Sequence, residues 1–308
     1  MIDALSGFLL LAVIVMIGWA LRRWGSLPEN AEAVLGRIAY TALAPCLLFE
    51  GTLTADLRLL VSGPLLVSTL AAVTCFAIFV LIFWRRDRGT RILGALAGGY
   101  TNANYIGIPV ATYVLGDASL VVPIVFLQLL IITPLALMLL ESATSRRSPA
   151  RWAFLKPAAN PLVIAVTLGA FVNFSGVRVP SALLDPISTV GNAAVPVVLI
   201  AFGMSLSGRR VLAPGPDRLP TVVAVTLKLL VMPAVAVLLA LALGLSRDAA
   251  YTVTILATLP TAQNIYLYAQ RFASGLVLIR DAIFLSTVGC LPVMLLITVI
   301  FDVRAANS

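Results

Sequence analysis

Histidine is absent from all 308 residues, so no histidine proton relay is available to this chain. Charge is nearly as scarce. Only 11% of residues are Asp, Glu, Lys or Arg, and lysine occurs twice, at Lys156 and Lys228. The three cysteines, Cys46, Cys75 and Cys290, fall inside apolar stretches with no paired spacing, which supports neither a disulfide framework nor a metal site. They read as small hydrophobes. No phosphate-binding loop is present, and no paired carboxylates, Ser/His pair or metal cluster stands out within the apolar stretches. An enzyme is therefore not expected, and neither a cofactor nor a metal is expected.

What the chain has instead is apolar length. With 61% hydrophobic residues and a mean hydropathy of +1.06 it belongs to the polytopic membrane class. Ten stretches of about spanning length can be marked: 5–21, 34–54, 59–84, 92–115, 120–140, 161–175, 187–207, 219–244, 249–270 and 277–300. The first has Asp3 and no basic residue before it and no small-residue cleavage site after it, so it reads as a retained span.

Arginine and lysine alternate between the connections. Those after spans one, three, five, seven and nine carry fifteen basic residues, among them Arg85, Arg86, Arg146, Arg147, Arg209, Arg271 and Arg280. The opposite side carries only Arg58, Arg178, Arg247 and Arg304. The bias predicts odd-numbered loops in the cytoplasm and both termini outside. It also makes the net charge of +8 a statement about topology and not about nucleic acid. The excess of arginine over lysine hints at a GC-rich bacterial source, hence a bacterial inner (plasma) membrane.

The basic linker 141–160 divides the chain into two halves of five spans, 1–140 and 161–308. Because five is odd, the second half enters the membrane from the opposite side, and any internal likeness is an inverted repeat. The fourth span holds Gly98, Gly99, Asn102, Asn104, Gly107, Pro109 and Gly116, a composition that invites a helix to unwind at membrane depth. Asn102 or Asn104 can cap a helix restarting at or near Pro109, whose free N–H groups would suit a small anion. The plainer alternative is a kinked helix packed through its glycines. The ninth span is interrupted in the same relative place by Thr258–Asn264, with Pro260 inside the break. Matched breaks in two halves point to a transport site. Pro45 in span two faces Pro196 in span seven, and Pro134 in span five is paired with Pro292 in span ten.

The run N-x-x-x-I-G-I-P from Asn102 to Pro109, together with Leu259–Pro260, Tyr268–Phe272 (YAQRF) and Leu291–Pro292, resembles the auxin efflux carrier family, which includes the plant PIN proteins and many bacterial members. The resemblance covers both halves. It implies an all-α polytopic fold of ten transmembrane helices in two inverted five-helix repeats, with broken helices 4 and 9 crossing at Pro109 and Pro260. A scaffold and a moving crossover domain go with that fold. It places Asn102 at the family's crossover asparagine, and Gln128 looks like its substrate-contacting glutamine. Plant members carry an acid and a lysine near the start of span three. This chain has Asp56 and Arg58 just before that span and no lysine, so a proton-linked role of that pair does not carry over.

An amide such as Asn102 can donate two hydrogen bonds to a carboxylate without bringing charge into the membrane. Thr101, Asn104, Gln263 and Asn264 add dipoles around the same crossing, either as ligands or as caps of the broken helices. Lys228 lies ~13 Å into span eight at a rise of ~1.5 Å per residue. It could offset a substrate carboxylate or hold the scaffold through carbonyls. Glu50 is a candidate proton site or a rim residue, and Arg37 is expected to snorkel. No acidic residue is placed in the interior of spans four, five, nine or ten, so the carboxylate of proton/sodium antiporters is expected to be missing.

These features predict a secondary transporter, an efflux carrier for a small organic anion or carboxylate, working by alternating access under the membrane potential or a proton gradient. Two alternatives stay open: a sodium-coupled organic-acid symporter, with unwound carbonyls holding Na⁺, and a membrane sensor through which nothing crosses. The expected partners are a small carboxylate and the lipid bilayer; a homodimer is left open.

Overall fold

The computed structural model describes residues 2–25, 27–53, 63–107, 110–111, 114–144, 161–177, 179–208 and 210–306. Within them the regular structure is helical, joined by one isolated antiparallel bridge between Thr101 and Thr261. The elements are α1 (Ile2–Trp24), α2 (Ala31–Leu53), α3 (Gly63–Ile82), α4 (Arg88–Gly99), a π-helical turn at Ala103–Gly107, α5 (Val122–Thr144), α6 (Pro161–Ser175), α7 (Ser181–Leu206), α8 (Arg218–Ala242), α9 (Arg247–Ala257), α10 (Asn264–Arg271) and α11 (Leu276–Ala306).

Six helices, α2, α3, α5, α7, α8 and α11, are long and apolar enough to cross a bilayer. Large apolar side chains such as Leu81, Leu238 and Leu296 stand exposed on their outer faces, the reverse of a surface made for water. The stretches 92–115 and 249–270 do not join that set because each is interrupted. Both begin alike, with a side-chain cap on the first turn: the Asp87 carboxylate accepts from the Thr90 N–H at 2.8 Å, and the Ser246 hydroxyl accepts from the Ala249 N–H at 3.3 Å.

Proline shapes four of the elements in one way. Widened π turns at Ala39–Leu43, Ala103–Gly107, Gln128–Ile132 and Leu227–Val231 each end two residues before a proline: Pro45, Pro109, Pro134 and Pro233. A proline ring clashes with the carbonyl four residues back and offers no N–H. In α2, α5 and α8 the N–H that closes the turn reaches five residues back instead, from Ala44 to Ala39, Thr133 to Gln128 and Met232 to Leu227. The extra residue lets the helix pass the proline with a bulge and not a fracture. Pro292, paired with Pro134 on sequence, lies inside the uninterrupted α11. The π turn of α5 has its likeness in α8.

Packing sorts the helices. α1 lies along α7, and α2 lies along α6 and α7. Separately, α3 packs on α4, α8 packs on α9 and α3, and α4 and α11 pack on α8. α5 touches both groups, through α4 on one side and α6 on the other. The α1–α7 seam is closed by glycine: a Cβ on Gly203 would overlap the Val15 carbonyl oxygen, and one on Gly18 would overlap that of Ile200. Gly203→Val is therefore expected to cost about 1–3 kcal/mol or more by overpacking, read as a lower melting temperature in detergent. Gly215→Ala, whose Cβ would meet nothing, should melt like the wild type.

Candidate functional site

α4 stops at Gly99, and Tyr100 turns extended with φ −89° and ψ 112°. The unwound stretch 100–102 then meets the unwound stretch 260–262 from the other half of the chain. The Asn102 N–H donates to the Pro260 carbonyl at 2.8 Å, and the Ala262 N–H donates to the Tyr100 carbonyl at 3.2 Å. Backbone that leaves a helix at membrane depth needs internal partners. Here each break supplies them to the other. Gly107 permits the close approach, since a Cβ there would stand 2.9 Å from Val121 Cγ2 and 3.1 Å from Leu259 Cδ1.

A π turn, Ala103–Gly107, follows the unwound stretch at once, ahead of the place near Pro109 where the sequence suggests a helix. Its closing bond runs from the Gly107 N–H to the Asn102 carbonyl at 2.9 Å. Pro109 itself lies outside the described residues, as do the side chain of Asn104 and the pair Asp56 and Arg58. Gln263 precedes α10 but makes no side-chain cap. Its Oε1 accepts from Asn102 Nδ2 at 3.3 Å instead, so the two breaks are tied through side chains as well as backbone.

Thr101, Asn102, Gln128, Gln263 and Asn264 line one cavity of ≈ 50 Å³ together with Tyr100 and Tyr268. Its other wall is apolar, from Leu48 of α2, Leu162 of α6 and Val198 of α7. The cavity thus lies between the two packing groups. Gln128 opens the π turn of α5, and its Nε2 donates to the Thr101 carbonyl at 2.9 Å. Among the described residues no charged side chain lines the space.

The sequence reading missed the two tyrosines and Thr133. Tyr100 Oη lies 2.8 Å from Thr133 Oγ1, and Asn264 Nδ2 donates to Tyr100 Oη at 3.4 Å and to Tyr268 Oη at 3.3 Å. Asn264 Oδ1 is buried and has no partner among the described residues. Exchanging the amide O and N would let the hydroxyls donate to Oδ1 and leave the NH₂ unpaired instead. Either way one polar end of Asn264 is unengaged at the cavity wall.

Behind the cavity stands Lys228, fully buried on the π turn of α8. Its Nζ donates to Thr101 Oγ1 at 3.2 Å, to the Ala257 carbonyl at 2.8 Å and to Met232 Sδ at 3.0 Å. Ala257 is the last residue of α9, where unpaired carbonyls carry partial negative charge. Glu50 is placed elsewhere: its carboxylate accepts from the Ser188 hydroxyl at 2.5 Å between α2 and α7, and it does not line the cavity.

One acid at the edge of the stretch 277–300 is buried by the protein itself: Asp281, 1% exposed, lies 2.6 Å from Nη2 of Arg280, itself 4% exposed. The loop before α8 folds over the pair, with the Leu212 N–H donating to Asp281 Oδ2 at 2.9 Å and Arg280 Nη2 donating to the Arg210 carbonyl at 3.4 Å. Arg280 is therefore a weaker marker of topology than an exposed loop arginine.

Against known proteins, the chain matches the family described as "Membrane transport protein" over residues 7–298. It is 27% identical over 298 residues to a Rhizobium meliloti protein named "Putative malonate transporter", covering 89% of this chain and 90% of that one. It is 27% identical over 287 residues to an "Uncharacterized transporter" of Methanothermobacter thermautotrophicus, covering 90% and 91%. Escherichia coli K12 "Uncharacterized transporter YfdV" is 24% identical over 272 residues, covering 84% and 85%.

Proposed function

Because this chain belongs to the membrane transport protein family, that of the auxin efflux carriers, we propose that it is a secondary carrier of the bacterial inner membrane that moves a small organic anion by alternating access. In this reading ten spans form two inverted repeats, 1–140 and 161–308, joined by the basic linker 141–160, with both termini outside. α9 and α10 together make the ninth span. The packing groups support the repeat: α1 and α2 group with α6 and α7, each five spans further on, and the capped, interrupted spans four and nine stand in matching places. The first group would be the scaffold, and the second, with the crossing, would be the part that moves.

One observation carries the function: two unwound stretches satisfy each other's backbone and leave uncharged amides and hydroxyls around a single cavity. Neutral dipoles bind an anion without the hold of a full ion pair, so the anion can leave again. A water needs about 10–15 Å³ by this measure, so the cavity has room for only a few. That favours a short mono- or dicarboxylate, the class to which malonate belongs. Outward movement of an anion gains ~2.3 kcal/mol per charge at 100 mV, inside negative.

The test is transport of labelled malonate, with other short carboxylates in parallel, by proteoliposomes under a clamped potential. Wild type should accumulate label in the lumen, and Asn102→Ala should be at least tenfold slower. Equal rates for the two would remove Asn102 from the site. Label that binds without entering the lumen would make the protein a sensor.

A further inference from the structure

We propose that the ammonium of Lys228 is a tethered monovalent cation that binds the two interrupted spans to each other and fills the place of a coupling ion, so that the anion moves without sodium. The second half of that statement rests on the carrier reading above; the first half does not.

The geometry is that of a small-cation site with its cation built in. The two oxygens that receive the ammonium come from opposite breaks, Thr101 Oγ1 from the first and the carbonyl of Ala257 from the edge of the second. Unwound segments and the C-terminal ends of half-helices are where carriers of this architecture hold sodium. Lys228 arrives from a third element, α8, and Met232 Sδ, one turn further on, takes its remaining hydrogen. Three acceptors match the three donors of an ammonium. Among the described residues no carboxylate lies within ion-pair distance of it. A buried charge without a counterion is costly in a membrane, and here the partial negative end of α9 faces it. Thr101 connects this charge to the cavity: its hydroxyl meets Lys228, its carbonyl meets Gln128, and the next residue is Asn102. The positive charge thus sits one side chain behind the place proposed for the anion, fixed to the moving group and carried with it through the cycle.

If the ammonium stands for an ion, shortening the side chain should open a site that a free cation can refill. Wild type, Lys228→Ala and Lys228→Met are purified, and each is melted and assayed for malonate uptake in choline, sodium and ethylammonium chloride. Wild type should show the same melting temperature and uptake in all three salts. Lys228→Ala in choline should melt lower by about 5 °C or more and take up malonate at least tenfold more slowly, and sodium or ethylammonium should restore at least half of the lost melting temperature. Lys228→Met fills the space without charge and should respond to no cation.

A wild type stimulated by sodium would overturn the proposal, as would a Lys228→Met protein equal to wild type, or a Lys228→Ala protein that ignores every small cation. The wild-type arm decides even if neither variant folds. Cation rescue of melting without malonate movement in any protein would keep the tethered cation and sink the malonate reading. Malonate movement without rescue would do the opposite.

Discussion

Asp281→Ala is expected to lower the unfolding free energy by about 3–5 kcal/mol, because it leaves a buried guanidinium without its carboxylate. Arg280 Nε and Nη2 both bond to Asp281 Oδ1, at 2.7 and 2.6 Å, and both side chains are almost fully buried. The second carboxylate oxygen holds the N–H of Leu212, whose φ of 54° lies in the left-handed region that a leucine seldom adopts. Removing the carboxylate therefore releases both a charge and a strained turn in the loop between α7 and α8. Attraction within a buried pair offsets desolvation only in part, so removing both charges should do less harm than removing one. Arg280→Met combined with Asp281→Asn keeps an acceptor for Leu212 and should recover most of the loss. Melting of wild type and the two variants in detergent reads this directly. A single variant within about 1 kcal/mol of wild type, or a double variant no better than the single, would show that the pair is solvated and the burial argument wrong.

That pair also marks where sequence reasoning ran out. Asp281 lies five residues from the start of α11, a place where a linear reading puts headgroups and water. It is buried because a loop some seventy residues earlier folds across it, and nothing local announces that. Tyr100, Tyr268 and Thr133 were missed for a related reason: in an apolar span a tyrosine reads as packing, and only the fold shows that two hydroxyls converge on Asn264. The breaks themselves were legible, since Asn, Gly and Pro at membrane depth have few other uses. Lys228 was legible as a charge in an apolar run, and Gln128 through the family resemblance. The π turn at Ala103–Gly107 was not, because it leaves the same residues in the sequence as a cap would.

The π turns connect these observations. Gln128 opens one, Lys228 is the second residue of another, and the interrupted fourth span resumes in a third. Each precedes a proline, and those of α5 and α8 present Gln128 and Lys228 to the region of the breaks. Tyr40, in the fourth, is buried beneath the guanidinium of Arg271, 5.5 Å from its ring. Ahead of Pro45, Pro134 and Pro233 the side chain in question, Tyr40, Gln128 or Lys228, stands five or six residues upstream.

Asn264→Asp is expected to abolish anion transport. The substitution puts a carboxylate oxygen where the amide nitrogen now meets both tyrosine hydroxyls, which can turn to donate to it, while the other oxygen stays without a partner among the described residues. A buried carboxylate without a counterion costs stability, so melting should fall, but by less than it would without the two tyrosine donors. The bound anion, however, would meet a like charge across the cavity. At about 4 Å and an effective dielectric near 20, two unit charges interact by about 4 kcal/mol, close to a thousandfold in affinity. Asn264→Ala offers no such repulsion and should weaken binding by no more than about tenfold to a hundredfold through the lost dipole. Titrating malonate against thermal stability separates the cases, since a bound ligand raises the melting temperature in proportion to RT ln(1 + [L]/Kd). Wild type should respond, the alanine variant should respond at higher concentration, and the aspartate variant should not respond at all. An aspartate variant that binds malonate like wild type would mean that the anion is held elsewhere, and the amides around the two breaks would then serve the fold alone.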